Sequence, residues 1–386
     1  MCGAGHVFGK EIITLNLLKE FRQRGHEVEC LTSVWADPEF IRRLEAERIP
    51  FARLPMGYIS TKPSWANLSM NFGQLVHLPG LWMGYRRNLR EFKPDAVVQT
   101  NLHHTLALWP ALDPRNTFFH VHEPFPATKF YRRLFRFLNR RLSSFIGVSQ
   151  FIGKSVVALG VPEVKTFSVL NGLAVEDEAG CAGKICAANL RAVESEDSGP
   201  LRLSIIGQIG AWKGHDDLIE ALSELKKEGV EFTCRIYGKG DAGYIESLKK
   251  RIADDGLDEM IEWGGFVPDA REIFRATDVC VVPSRSEDPC PTVAIEAAHY
   301  GVPVVATRRG GLPEIVSDGE TGFLVDAESP LQLCEKLKAL LLDAKLRERM
   351  GARARTFARE RLNQERMVNE MEATLKRVLL TKGSNR

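Results

Sequence analysis

The sequence predicts two doubly wound α/β domains, each built on a parallel sheet and facing the other across a cleft. Three observations carry that reading. At 386 residues the chain exceeds what one hydrophobic core organises. Short β-branched or aromatic runs alternate with amphipathic stretches of helical period. The alternation also stops once, in a poorly patterned segment, and then restarts.

In the first half, HEVECLTS (26–33), PDAVVQTN (94–101), NTFFHVHE (116–123), SFIGVSQ (144–150) and KTFSVLNG (165–172) read as strands, with helical stretches between them. One such stretch is KEIITLNLLKEFRQRG, directly after Gly9. The chain opens MCGAGHVFGK, a Gly-rich turn leading into that helix with no strand ahead of it. In a Rossmann-like half the turn follows the first strand, which lies mid-sheet, so an unpaired groove is predicted and a clipped or misassigned start is expected. From about Glu176 to Gly199 a stretch rich in Ala, Gly and acids shows no sustained period and reads as the linker.

The pattern restarts after Pro200 with the strands LRLSIIGQI, EFTCRIYGKG, EMIEWGGFV, DVCVVPS and PVVATRRGG. Helices are predicted at about 215–228, across 244–254 and in PTVAIEAAHYG, and Leu331 to Leu380 is helical and highly charged. The expected domains are therefore 1–198 and 199–363, with a final helix, 364–386, crossing back to the first.

A hydrophobic share of 44% and a charged share of 26% are those of an ordinary globular protein. A formal charge of +2 implies no nucleic-acid partner. The eight cysteines form no CxxC pair, so a reducing cytoplasm is expected, with neither disulfides nor zinc. No apolar run approaches the roughly 20 residues that cross a bilayer, and no signal segment opens the chain. A cytoplasmic location is expected, at most peripheral on the inner face of the membrane.

Chemistry concentrates in PSRSEDPCPTVAIE (283–296) and the AAHYGVPVVATRRGGLPEIV that follows it. Seven residues separate Asp288 from Glu296, Pro289 and Pro291 mark a turn, and Thr292 opens a helix. This predicts one carboxylate at a helix mouth and another two turns down. Amides of Thr292 and Val293 then suit a phosphate or sugar oxygen, and the carboxylates suit hydroxyls. The same spacing also fits a capped surface helix with acids in its first turn.

This stretch resembles the signature of retaining GT-B glycosyltransferases of family 4, in which two acids seven residues apart precede a small-residue helix and G-x-P-V-V-A. The resemblance extends over nearly the whole chain. It implies a GT-B fold, in which Asp288 contacts hydroxyls of the donor sugar and Glu296 the nucleotide ribose, with the turn at Pro291 beside them. The family's first acid is usually Glu, and here Glu287 and Asp288 stand side by side; register favours Asp288, though Glu287 reaches the same place.

A second motif is IIGQIGAWKG (205–214), where Gly207 lets a ligand approach the backbone and Lys213 can neutralise a diphosphate. A solvated lysine fits that pattern equally. It resembles the family's phosphate loop, in which an Arg commonly follows the first Gly; Gln208 stands there instead, which leaves phosphate contacts to Lys213, amides and the helix end. In FHVHEP (119–124) His122 ends a strand, where a histidine is as often structural. The family places a histidine followed by an acid there, facing the donor sugar, which implies that role for His122 rather than His120. Ser149, Asn171 and Gly172 match further recurring spots, and Gly9 closes the opening turn with the donor-binding set. Gly238 and Gly240 in IYGKGD, and Gly310 with Gly311, are strand-end glycines expected in any α/β domain. The GGFV turn of the family lies against the base, which implies contacts from main-chain atoms of Phe266 and Val267.

KFYRRLFRFLNRRL (129–142) is a basic amphipathic stretch with Phe130, Leu134, Phe137 and Leu138 on one side, suited either to a membrane surface or to packing on a sheet. Residues 60–92, with Trp65, Phe72, Leu81, Trp82 and Tyr85, read either as acceptor groove or as core. With no D-x-D at a strand end and no His/Cys cluster, no metal and no cofactor are expected. The activity implied is transfer from a UDP- or GDP-linked sugar donor to a glycan, lipid-linked or small-molecule acceptor, with retention of configuration. A sugar-nucleotide epimerase or phosphorylase on the same architecture, or a non-catalytic nucleotide-sugar-binding subunit, are the alternatives.

Overall fold

The computed structural model describes residues 2, 9–57, 65–174, 199–267 and 270–383. The chain forms two units, Met1–Asn171 with Gln364–Arg386, and Gly172–Asn363. The expected linker at 176–199 lies, but for Gly199, outside the described residues, as do residues 3–8 of the opening turn.

In the first unit β1 (Cys30–Ser33) and β2 (Phe51–Leu54) pair in parallel, in the register Cys30 to Phe51. A separate parallel sheet runs β3 (Val97–Gln99), β4 (Thr117–Val121), β5 (Ser144–Gly147) and β6 (Thr166–Ser168), in that order. Every residue of β4 and β5 is buried, which is why they read as unbroken apolar runs rather than alternating ones. Strand β2 is not predicted by the sequence, because FARL lies between Pro50 and Pro55 and contains no β-branched residue. The crossovers are α1 (Gly9–Gln23), α2 (Pro38–Ala46), α3 (Trp65–Phe92), α4 (Leu102–Leu108), α5 (Lys129–Leu138) and α6 (Gln150–Ala158). Asp37, Asn101 and Ser149 begin α2, α4 and α6 by accepting backbone N–H bonds, so Ser149 has a capping role. On α3, Leu81 and Tyr85 are core and Trp82 donates to the Ala107 carbonyl at 2.7 Å, whereas the side chains of Trp65 and Phe72 lie outside the described residues.

The strands β1 and β3 belong to different sheets, and a cavity of about 790 Å³ lies beside them, lined by Cys30, Leu31, Val97, Val98 and His120. The Cys2 amide donates to the Leu31 carbonyl at 3.0 Å at one end of this slot.

The second unit holds one six-stranded parallel sheet in the order β12-β11-β10-β7-β8-β9, made of β7 (Leu201–Ile206), β8 (Phe232–Tyr237), β9 (Ile261–Gly265), β10 (Val279–Val282), β11 (Val304–Thr307) and β12 (Gly322–Val325). Its helices are α7 (His215–Lys227), α8 (Ala242–Asp254), α9 (Ala270–Arg275), α10 (Thr292–Tyr300), α11 (Leu312–Ile315), α12 (Pro330–Leu342) and α13 (Ala344–Arg361). Leu203, Ile205, Leu218, Leu222 and Leu337 join sheet and helices in a continuous core. Strand β12 and helix α9 are not predicted by the sequence: GFLV has one β-branched residue where the equally short β10 and β11 have three each, and the six residues of α9 are too few to show a period.

The last helix, α14 (Gln364–Gly383), belongs to the first unit and packs on α1. Gln364 bonds Glu20 at 2.8 Å, and Glu372 accepts from Arg24 and His26. Lys376, with His26 and Arg24 behind it, holds the Glu372 carboxyl down to about 2. Among the described residues no helix is long and apolar enough to cross a membrane.

The cavity beside β1 and β3 allows a direct test of the expected groove. Joining a run of five β-branched residues ahead of Met1 is expected to raise the melting temperature by several degrees over a Gly/Ser run of equal length. Each buried Val or Ile contributes about 1.5–3 kcal/mol, and about 1 kcal/mol moves a domain of this size by roughly 2–4 °C. Equal melting temperatures would mean that the slot does not take a strand.

Candidate functional site

In a parallel sheet the carboxyl ends of all strands meet at one edge, and the winding direction here reverses between β7 and β10. The loops after these two strands, 207–214 and 283–291, therefore lie side by side, and they are tied together closely. The Trp212 carbonyl accepts the amides of Arg285 at 2.9 Å and Ser286 at 3.1 Å. The Arg285 guanidinium grips the buried Asp217 carboxylate of α7 with two bonds, of 2.8 and 2.6 Å, and that bond to Asp217 raises the Arg285 pKa. At Gly214, φ is +73° and any Cβ would collide with the Pro283 carbonyl, so only glycine permits this approach.

Across this junction Lys213 donates a short bond to the Asp288 carboxylate. The neighbouring acid points elsewhere: Glu287 accepts from the Gly310 amide at 2.5 Å and from Arg309 at 3.1 Å. Glu287 thus braces the loop after β11, while the Asp288 carbonyl receives the Gly311 amide at 2.8 Å. Of the two adjacent acids it is Asp288 whose carboxylate meets Lys213.

Helices α7 and α10 begin at this edge with Gly214 and Pro291 as their first flanking residues, and neither provides a side-chain cap. Their first N–H groups, Thr292 and Val293 among them, are the type of donor that anions accept from. Glu296 is the fifth residue of α10, one turn in rather than the two turns expected from the sequence. The correction has a simple cause: Pro289, Cys290 and Pro291 are loop, so only the last part of the seven-residue spacing is helical.

Gly207, Gln208, Lys213, His215, Ser284 and Val293 line a recess of about 10 Å³, roughly the room of one water. The Ser284 Oγ is buried there without a hydrogen-bond partner among the described residues. The same edge continues through the loops after β8 and β9. Gly207 donates to Tyr237, Ile209 to Lys239 and Gly238 to Gly265, at 3.0, 2.8 and 2.7 Å. Phe266 is exposed, with the Lys239 ammonium 4.6 Å from its ring centre, and Val267 is half-buried beside it.

His122 and Gly9 belong to the first unit. Gly9 opens α1, and His122 follows the last residue of β4, its Nε2 3.1 Å from Nδ1 of His120. Two residues apart on a strand, the rings share one face. Burial pushes His120 down to about 3, and burial, with His120 and Lys10, holds His122 well below the ordinary value. Both rings are neutral at pH 7, one nitrogen donating and the other accepting. Sequence reading overlooked Arg285, Ser284, His215 and Lys239. Arg285 and Asp217 are 68 positions apart, and no periodicity connects them.

Residues 9–177 match the family model Glycosyltransferase Family 4, and residues 187–357 match Glycosyl transferases group 1. The solved structure of HepE from Anabaena, a complex with UDP and glucose, superposes with a TM-score of 0.75 at 20% identity, covering 97% of this chain and 98% of that one. The chain has the GT-B fold, and its two halves match two glycosyltransferase family models. Sucrose-phosphate synthase of Thermosynechococcus elongatus shares the fold, with a TM-score of 0.73 at 18% identity over 98% of this chain and 96% of that one. In sequence, D-inositol 3-phosphate glycosyltransferase of Corynebacterium efficiens is 34% identical over 163 residues, 41% of this chain and 38% of that protein. Sulfoquinovosyl transferase SQD2 of Arabidopsis thaliana is 25% identical over 351 residues, 88% of this chain and 65% of that protein. The match thus spans about two fifths of the first of these relatives and just under two thirds of the second.

The buried rings make the stability of this GT-B chain depend on pH. His104 and His120 are pushed down to about 3 and His215 to about 4, all chiefly by burial. The unfolded chain takes up these protons near pH 6.5 and the folded chain does not. Stability is therefore complete above about 6.5 and falls toward pH 4, by roughly 1.4 kcal/mol per pH unit for each ring. Urea midpoints measured from pH 7 to pH 5 should decline steadily; a flat profile would contradict neutral buried rings.

Proposed function

We propose that this chain transfers a sugar from a nucleoside diphosphate donor, UDP- or GDP-linked, to a glycan, lipid-linked or small-molecule acceptor, with retention of anomeric configuration. The observation that carries the reading is the contact between Lys213 and Asp288, set beside the uncapped starts of α7 and α10. A cation next to two helix N-termini suits a diphosphate, and a carboxylate suits vicinal hydroxyls. In the free protein these two groups satisfy each other. A donor exchanges that pair for two new ones, phosphate on Lys213 and sugar hydroxyl on Asp288. The pair is partly exposed, so separating it costs about 0–1 kcal/mol.

Charge developing on the leaving diphosphate is then met by Lys213, the amides at Thr292 and Val293 and the helix ends, groups already in place before reaction. Glu296, one turn into α10, takes the ribose hydroxyls; Gly207 and Gly238 leave backbone open beside the phosphates, with Gln208 next to them. Phe266 and Val267 meet the base. Neutral His122 orients the sugar at the reacting carbon, as the resemblance implies. The departing phosphate accepts the acceptor's proton on the same face, so the scheme needs no covalent nucleophile. The UDP and glucose bound to HepE favour UDP as the nucleotide. Because protein groups meet the phosphate charge, turnover is expected to persist in excess chelator; an absolute requirement for a divalent ion would reject this part of the scheme. A lipid-linked acceptor would bring the chain to the periphery of a membrane.

Two substitutions separate the acids. Glu296→Gln should weaken UDP and UDP-sugar binding alike, because both carry the ribose. Asp288→Asn frees Lys213 and should leave UDP binding equal or tighter, while donor binding and turnover lose about 1.5–3 kcal/mol, ten-fold or more. Calorimetry with UDP and UDP-glucose, together with donor hydrolysis rates, reads both. If Glu287→Gln abolishes turnover and Asp288→Asn is silent, the assignment of the first acid is wrong.

A further inference from the structure

The histidine that the proposed function uses, His122, does not stand alone. Its Nε2 lies 3.1 Å from Nδ1 of His120, with the ring centres 4.2 Å apart and the planes tilted by 59°. The rings meet because residues two apart on a strand share a face, and β4 runs from Thr117 to Val121 directly into His122. The end of this strand is held on its neighbour: His120 pairs with Ile146 and Val121 with Gly147 of β5, and the Val121 carbonyl accepts the Val148 amide at 3.2 Å. The His120 ring is 1% exposed and has little room to turn, whereas His122 is partly exposed. A fixed ring thus holds a freer one. The bond occupies Nε2 of His122 and leaves Nδ1 as its one ring nitrogen open to a ligand.

The proton pattern follows from the far nitrogen of His120. Burial keeps both rings neutral, so each carries one proton and one lone pair. Nε2 of His120 is buried and has no hydrogen-bond partner among the described residues. If His122 donated, the proton of His120 would sit on that nitrogen as a buried donor without an acceptor, and buried donors are left unbonded more rarely than buried acceptors. With its proton on Nδ1, His120 donates instead, Nε2 of His122 accepts, and the proton of His122 sits on Nδ1. We propose that His120 is a positioning residue for the transfer: it fixes the turn of the His122 ring and its Nδ1–H form, so that His122 meets the donor sugar as an uncharged hydrogen-bond donor. The tautomer stands on the geometry of the pair, and its part in transfer rests on the proposed function. The reacting carbon of a sugar becomes positive as its phosphate departs, and an N–H on an uncharged ring holds a hydroxyl without setting a second positive charge beside it. An unsupported histidine at a strand end divides between two tautomers and several rotamers, and only part of that population is ready to act.

Long-range proton–nitrogen NMR spectra of the full chain with isotope-labelled histidines read the tautomer, the His122 signals being assigned by their loss in His122→Gln. Turnover of UDP-glucose and calorimetry with UDP read its effect. Wild type is expected to show His122 in the Nδ1–H form alone. His120→Phe keeps a ring of similar size and removes the bond; the Nε2–H form should then appear, and kcat should fall about two- to ten-fold with UDP affinity unchanged. His120→Asn places an amide where Nδ1 stood and should recover the Nδ1–H form and most of the rate. A role confined to packing predicts the opposite order, with Phe more active than Asn, and that order overturns the proposal. So does a wild-type His122 in the Nε2–H form or in both forms, a tautomer that His120→Phe leaves unchanged, or a kcat that stays constant while the tautomer shifts. The wild-type spectrum decides even where a variant does not fold. The expected spectrum with no wild-type turnover of UDP-sugar leaves the pair standing and counts against the proposed function alone.

Discussion

The site depends on one constraint, the two-bond grip of Arg285 on Asp217 that holds the loop after β10 against the start of α7. Asp217 is buried, and a buried carboxylate without a partner is costly, so the loop cannot drift from the helix without exposing that cost. With Trp212 receiving two amides of the same loop and Gly214 allowing close approach to Pro283, the relative position of Lys213 and Asp288 is settled before any ligand arrives. Glu287 extends the bracing outward by holding the amide of Gly310. Charged groups that look interchangeable in the sequence are thus divided by geometry into those that hold loops, Arg285 and Glu287, and the pair Lys213 and Asp288 that meets between the loops.

That division explains what the sequence could disclose. The parallel sheet of the second unit was legible because most of its buried strands are rich in β-branched residues, and the longer helices between them show their period. Strand β12, whose only β-branched residue is Val325, and α9, only six residues long, were not. In the site, the spacing from Asp288 to Glu296 was readable, but the depth of Glu296 was not, because spacing alone does not tell how many residues are loop. Arg285 was silent for a different reason: its partner lies across the sheet edge, and the two share no local pattern.

The first unit has two features that neither fold nor donor chemistry demands. A cavity of about 790 Å³ lies beside β1 and β3, and the Cys2 amide bonds to the Leu31 carbonyl next to it. Helix α5 divides its phenylalanines between core and solvent, which the sequence could not reveal. It grouped Phe130, Leu134, Phe137 and Leu138 on one side, whereas burial selects Phe135 and Leu138 and leaves Phe130 and Phe137 out. Periodicity gives the faces of a helix, and only packing shows which of them the sheet covers.

The central claim is that the contact between Lys213 and Asp288 stands in for the donor and is exchanged when the donor binds. A crystal structure of the chain with an intact UDP-sugar tests it most directly. The account predicts the Lys213 ammonium on a diphosphate oxygen, the Asp288 carboxylate on a sugar hydroxyl and Glu296 on the ribose. A donor bound with Lys213 still paired to Asp288, and its diphosphate held by other groups, would contradict it.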